Sequence, residues 1–196
     1  MIKKFSIFAI LALILLPAGV MAAGAQGSGP TYGSAEERIV TPSTSSVVTG
    51  KLTDDEKYWL TYLREEEKVA RDVYLSFNDT WNLRIFKNIA ASEQQHMDAI
   101  KVLLDRYSIP DPAADTGIGE FTNPDLQQLY DDLIQQGSIS KAEAFKVGVI
   151  IEETDIDDLN EAIAAAGHND IKTVYSNLLQ GSLHHLDAFE SGLVKY

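Results

Sequence analysis

Residues 64–74, Arg64-Glu65-Glu66-Glu67-Lys68-Val69-Ala70-Arg71-Asp72-Val73-Tyr74, and residues 92–97, Ser92-Glu93-Gln94-Gln95-His96-Met97, decide how this chain folds. Both lie in long segments whose apolar residues recur at alternating steps of three and four, the period of a helix that faces a bundle core. In both, the repeat reaches a charged residue where an apolar one is due. The first seam runs Leu60, Leu63, Glu67, Ala70, Tyr74, Phe77, and the second Phe86, Ile89, Glu93, His96, Ile100, Leu103, Tyr107. Two further segments repeat the pattern, with Phe145, Val149, Glu152, Ile156, Leu159, Ile163 and then Tyr175, Leu178, Ser182, His185, Phe189.

Start and stop signals bound four long helices around these seams. Thr53 and Glu56 form a capping box that opens a helix running to about Asp79. The second spans roughly Asn82 to Tyr107 and is closed by Pro110 and Pro112. Ser140 and Glu143 form another capping box, and that helix runs to Ala166 with Gly167 as its stop. Asn169 or Asp170 caps the last, which continues to about Leu193. A long connection between the second and third carries a short extra helix from Pro124 to Gln136, with Asn123 as N-cap and Pro124 in the first turn. No segment alternates as a strand does, so the domain over residues 52–194 is expected to be an all-α four-helix bundle.

The polar breaks fall at one level. Glu67 is about 13 residues before the first inter-helix turn, and Glu93 and His96 are about 11 to 14 after it; at about 1.5 Å per residue they lie side by side. Glu152 precedes the Gly167 turn by about as many residues as separate it from Ser182 and His185. Three carboxylates and two imidazoles therefore converge in the core. Buried carboxylates without partners are strongly unfavourable, and several together repel. Cationic side chains are scarce on these seams, since Arg71 lies one position off its seam and Lys68 is expected to point outward. A metal ion removes the conflict by accepting carboxylate and imidazole lone pairs, so Glu67, Glu93, His96, Glu152 and His185 are the candidate metal ligands. Glu153 is the alternative to Glu152. His184 and His168 are expected at the surface, and Tyr74 in the core.

These motifs resemble the ferritin and rubrerythrin superfamily, in which a Glu from each of two helices and Glu-x-x-His from each of the others hold two metals. Glu67-Lys68-Val69-Ala70-Arg71-Asp72-Val73-Tyr74 is similar to the first-helix motif, and Ser92-Glu93-Gln94-Gln95-His96 to the second. More narrowly, the two opening stretches resemble the DUF2202 family of ferritin-like domains, which has no established activity. The resemblance spans about Leu52 to Leu193. It implies a ferritin-like fold and an iron site of one or two ions, with manganese as the alternative, reacting with dioxygen or peroxide. One position departs from it: the fourth helix reads Ser182-Leu183-His184-His185, without the expected Glu. Asp155 is the nearest spare carboxylate. A structural or binding module with a mononuclear or vestigial metal site is the competing expectation.

Ahead of the domain, Lys3 and Lys4 precede an apolar run from Phe5 to Leu16 and small residues at Val20, Ala22, Ala23 and Ala25, the layout of a secretory signal peptide over residues 1–25. The run is shorter than the roughly 20 residues of a membrane span. Residues 26–51, rich in Gly, Ser, Thr and Pro, are expected to form a flexible linker. The protein is thus expected outside the cytoplasm, secreted or periplasmic. It has no cysteine, hence no disulfide. Its formal charge is −13, or −15 once Lys3 and Lys4 are removed, which argues against nucleic-acid binding. A homo-oligomer is compatible with the bundle, though no residue pattern specifies one.

Overall fold

The computed structural model describes residues 50–196. The signal peptide and nearly all of the linker expected from the sequence lie outside the described residues. Those described form five helices: α1 Asp54–Trp81, α2 Arg84–Tyr107, α3 Pro124–Gly137, α4 Lys141–Ala165 and α5 Asn169–Leu193, with no strand among them. None of these helices is long and apolar enough to cross a membrane.

Local chemistry sets the ends. The Thr53 hydroxyl accepts from the Glu56 amide at 3.1 Å, and the Glu56 carboxylate accepts from the Thr53 amide at 2.9 Å, so both halves of the capping box are made. Asn82 closes α1 in the left-handed region at φ 51°, and Ser108 closes α2 in the same way at φ 56°. Asn123 and Ser140 cap α3 and α4 by accepting from the amides of Asp125 and Glu143.

Three boundary expectations are corrected. The Glu143 side chain turns to Lys146 and Gln136, so only half of the second capping box forms. Gly167 is not a left-handed stop, because α4 closes at Ala166 in extended backbone. The residue preceding α5 is His168, with no side-chain cap, while Asp170 binds Arg106 and Tyr107. His168 is also not a free surface residue, since its Nδ1 lies 2.7 Å from Glu56 Oε1. That oxygen also accepts from the Gly167 and His168 amides at 2.8 and 3.0 Å, joining the start of α5 to the start of α1.

Helix α1 packs against α2 and α4, and α5 packs against α4 and α2, enclosing a core between the four long helices. Helix α3 rests on α1 and α4. One end of the core holds Leu60, Leu63, Ile100, Leu103, Leu159, Tyr175 and Leu178. The other is aromatic, with Phe86 and Phe189 centroids 5.8 Å apart and Tyr74 5.0 Å from Phe189. The polar layer lies between them.

The connection from Ser108 to Asn123 lies along α1 and buries its charges. Arg64 makes a two-pronged ion pair with Asp111, both bonds at 2.9 Å. Glu65 accepts from the Thr122 amide and hydroxyl. Lys68, expected to point outward, is 1% exposed. Its ammonium binds Asp72 at 2.6 Å and the Gly117 and Glu120 carbonyls, and sits 4.4 Å from the Phe121 ring centre. A connection without regular structure offers carbonyl groups that need donors, and a long cationic stem supplies them.

Candidate metal centre

All five candidate ligands are buried: Glu67 and Glu152 at 2% exposure, Glu93 at 1%, His96 and His185 at 8%. They come from four helices, Glu67 from α1, Glu93 and His96 from α2, Glu152 from α4 and His185 from α5. Glu153 faces solvent, so the register that presents Glu152 to the core prevails. The seams expected on α1 and α5 are buried throughout.

On α4 the expected seam is off by one position at alternate turns. Phe145, Glu152 and Leu159 are buried as expected, but Val149, Ile156 and Ile163 yield their core places to Gly148, Asp155 and Ala162. Packing dictates the shift: a Cβ added at Gly148 would stand 2.5 Å from Phe189, so α4 approaches α5 through a position that has no side chain. The rotation brings Asp155 inward.

The candidate ligands form two triads, Glu67–Glu93–His96 and Glu93–Glu152–His185, within each of which one donor atom per residue lies within 4.8 Å of the others. Glu93 belongs to both. Its Oε2 lies 2.8 Å from His96 Nδ1, and its Oε1 lies 2.8 Å from His185 Nδ1. His96 Nδ1 is 3.1 Å from Glu67 Oε2, and His185 Nδ1 is 3.5 Å from Glu152 Oε2. The two imidazoles stack with centres 5.6 Å apart. Glu67 Oε1 and Asp155 Oδ1 are buried without a hydrogen-bond partner, and Glu93 Oε1 and His185 Nδ1 meet each other as an ion pair. Unpartnered carboxylate oxygens beside imidazoles are what a divalent cation satisfies, so these residues fit a metal.

Protons meet this demand in the absence of an ion. Burial lifts Glu67 to about 7 despite the opposing pull of His96. Burial and the Glu93 charge lift Glu152 to about 7 against contacts with His185 and Tyr74. Burial would raise Glu93 too, but His185 and His96 outweigh it and hold it at about 2. Burial depresses both imidazoles, yet Glu67 and Glu93 carry His96 up to about 11, and Glu152 and Glu93 carry His185 up to about 10. Asp155 is pushed well up by burial and then by the charges of Glu67 and Glu152.

Neighbouring groups hold the candidate ligands in place. Tyr74 is core, as expected, and its hydroxyl also donates to Glu152 Oε1 at 2.6 Å. Ser92 Oγ lies 3.0 Å from His185 Nε2, which turns Nδ1 toward the carboxylates. Ser182, in place of the expected Glu, donates to Asp155 Oδ2, with the Leu178 carbonyl 3.1 Å away as a second acceptor. Gly181 makes room for His96, because a Cβ there would stand 2.5 Å from its Nε2. Glu66 is buried beside Asp158: burial and then the Asp158 charge push Glu66 well up, while burial raises Asp158 against the hydrogen bonds it makes with Glu66 and Tyr62. Sequence reasoning passed over Gly181, Ser92 and Glu66. The signal for Ser92 and Gly181 was their place next to a ligand or seam position; Glu66 carried no such signal.

The family model described as "Uncharacterized protein domain (DUF2202)" matches residues 56–195. The uncharacterized protein MJ0754 of Methanocaldococcus jannaschii is 49% identical over 152 residues, covering 78% of this chain and 82% of that protein. The crystal structure of MJ0754 superposes with a TM-score of 0.75, covering 78% of this chain and 87% of the other. A DUF305 fragment from Deinococcus radiodurans, 11% identical, shares the fold with a TM-score of 0.59, covering 74% of this chain and 98% of the fragment.

Proposed function

This chain belongs to the DUF2202 family, and from that premise we propose that its domain is a ferritin-like four-helix bundle that binds iron or manganese at the buried layer and carries out redox chemistry outside the cytoplasm. The observation that carries the reading is the pair of triads sharing Glu93, with orphaned lone pairs at the same level. Glu67, Glu93, His96, Glu152 and His185 are the proposed ligands. A bound iron or manganese ion supplies one-electron chemistry toward dioxygen or peroxide.

The chain's own groups do the preparatory work. Both imidazoles present Nδ1 to the layer, and the Ser92 contact at Nε2 holds His185 in that orientation. Tyr74 fixes Glu152 through its hydroxyl proton. The apolar and aromatic tiers on either side exclude water, which strengthens every charge interaction within. Export rests on the signal-peptide pattern over residues 1–25.

The test is metal content by elemental mass spectrometry on protein purified without chelators, with anaerobic Fe(II) titration and admission of oxygen to the same sample. One or two iron ions per chain, with an absorption change on oxygen, is the expected result. A double variant Glu93→Ala/His96→Ala that retains its metal would overturn the reading. Ser182 favours a second reading, a structural metal module without catalysis, and peroxide turnover no faster than that of the free metal would select it.

A further inference from the structure

We propose that Asp155 is a further metal ligand, the carboxylate that serves in place of the absent glutamate at Ser182, and that Ser182 is its positioning residue. The inference rests on the metal-binding reading above and deepens it: the site is dinuclear, and α4 supplies two of its carboxylates.

Glu152 and Asp155 stand three residues apart on α4, a spacing that puts both side chains on one helix face. Asp155 is 5% exposed. One of its oxygens, Oδ2, accepts from the Ser182 hydroxyl, while the other, Oδ1, is buried with no partner. A single hydroxyl therefore fixes the carboxylate and leaves one lone-pair face free. Ser182, which holds it, stands three residues before His185 on α5, so the carboxylate lies next to the layer. A buried acid held by one hydroxyl is a costly choice for a core position, above all beside an isoleucine that one step of helix rotation would bring in. A pair of cations reverses that cost.

Serine suits this arrangement because it is too short to reach a metal beside Asp155, yet it donates one hydrogen bond to the carboxylate. A glutamate at Ser182 would compete with Asp155 for the same place. The ligand has, in effect, changed helices: the carboxylate that the ferritin pattern puts on α5 is delivered from α4, one methylene shorter.

Mn(II) titrated calorimetrically into the chelator-stripped chain tests the proposal, with Asp155→Asn as the first variant. The amide keeps the size and the hydrogen bond to Ser182 but not the charge. Expected are two Mn(II) per wild-type chain and one per Asp155→Asn chain, with the metal-free variant melting above the metal-free wild type because a buried acid is gone. Ser182→Ala is expected to keep two sites and to weaken the second by about 10–100-fold, the usual effect of losing a hydrogen bond behind a ligand. Two sites of unchanged affinity in Asp155→Asn, or one site in the wild type, overturn the proposal and leave the metal-binding reading standing. No Mn(II) in the wild type, or full binding in Glu93→Ala/His96→Ala, overturns both. Circular dichroism of each variant separates lost binding from lost folding.

Discussion

Gly181 shows how little room His96 has. With a Cβ placed 2.5 Å from the imidazole Nε2, one of the two must move, and the ring is the freer. Gly181→Ala is therefore expected to turn His96 away from Glu67 and Glu93 and to weaken metal binding by about tenfold or more. Its helix content should not change, since alanine favours helix more than glycine does. Metal titration beside circular dichroism checks this, and an alanine variant with wild-type affinity would show that the ring is not confined. Tyr74 stands on the other side of the layer. Its hydroxyl leaves Glu152 one oxygen to offer the second triad, so a residue that reads as plain core also sets the direction of a proposed ligand.

At the level of elements, Glu56 ties two helix starts together. It caps α1 through Thr53 and accepts from the Gly167 and His168 amides, so three backbone donors depend on one carboxylate. Burial raises its pKa, but His168, Thr53 and the Gly167 amide outweigh that and hold it at about 2 against the ordinary 4.5. A depressed carboxylate contributes stability above pH 4.5 that is lost as pH falls through about 2. Glu56→Ala is expected to cost about 1–3 kcal/mol at pH 7 and to flatten the acid limb of the unfolding curve below pH 4.5. Denaturant unfolding at pH 7 and pH 3 checks both, and an equal loss at the two pH values would contradict it. The seams of α1 and α5 were legible residue by residue because their core positions carry Leu, Tyr and Phe between the polar breaks. That of α4 was not, because it holds isoleucine at 150, 151, 156 and 163 and so looks apolar on more than one face. Gly148 decides the rotation, and its effect depends on Phe189 of a different helix. Lys68 was misread for a related reason: helix periodicity marks what faces the bundle and is silent about a loop that covers the opposite side.

Over the whole molecule the buried acids make a pH prediction with a definite sign. Glu67 and Glu152 sit at about 7 instead of 4.5, and Glu66, Asp155 and Asp158 are also raised. Raised acids contribute stability that is full below pH 4.5 and lost as pH rises through about 7. The raised imidazoles act in the same sense, with a contribution full below 6.5 and lost through about 10 to 11. The metal-free protein is therefore expected to melt at a lower temperature at pH 8 than at pH 5, against the habit of acidic proteins. Added metal should reverse the trend, because ligation displaces these protons; at 100 times its Kd an ion adds about 2.7 kcal/mol, or about 5–10 °C for a chain of this size. Calorimetry with and without Mn(II) at the two pH values decides it, and a melting point that rises with pH in the metal-free protein would refute it. The helical class and the level of the polar layer were readable from spacing alone, since both follow from helix geometry. The supporting contacts of Ser92, Gly181 and Asp155 were not, since each depends on which residues of other helices stand opposite.

The cover over α1 also bears on the order in which the chain assembles. Helices α1 and α2 are joined by only two residues, so they meet early, as neighbours in sequence do. At that stage Arg64, Glu65 and Lys68 still face water, because their partners Asp111, Thr122 and the Gly117 carbonyl come later in the chain. Their dehydration waits for the stretch from Ser108 to Asn123 to settle against the helix. That stretch therefore closes the fold from outside, and a hairpin that has not yet received it carries a hydrated flank which discourages other chains from attaching.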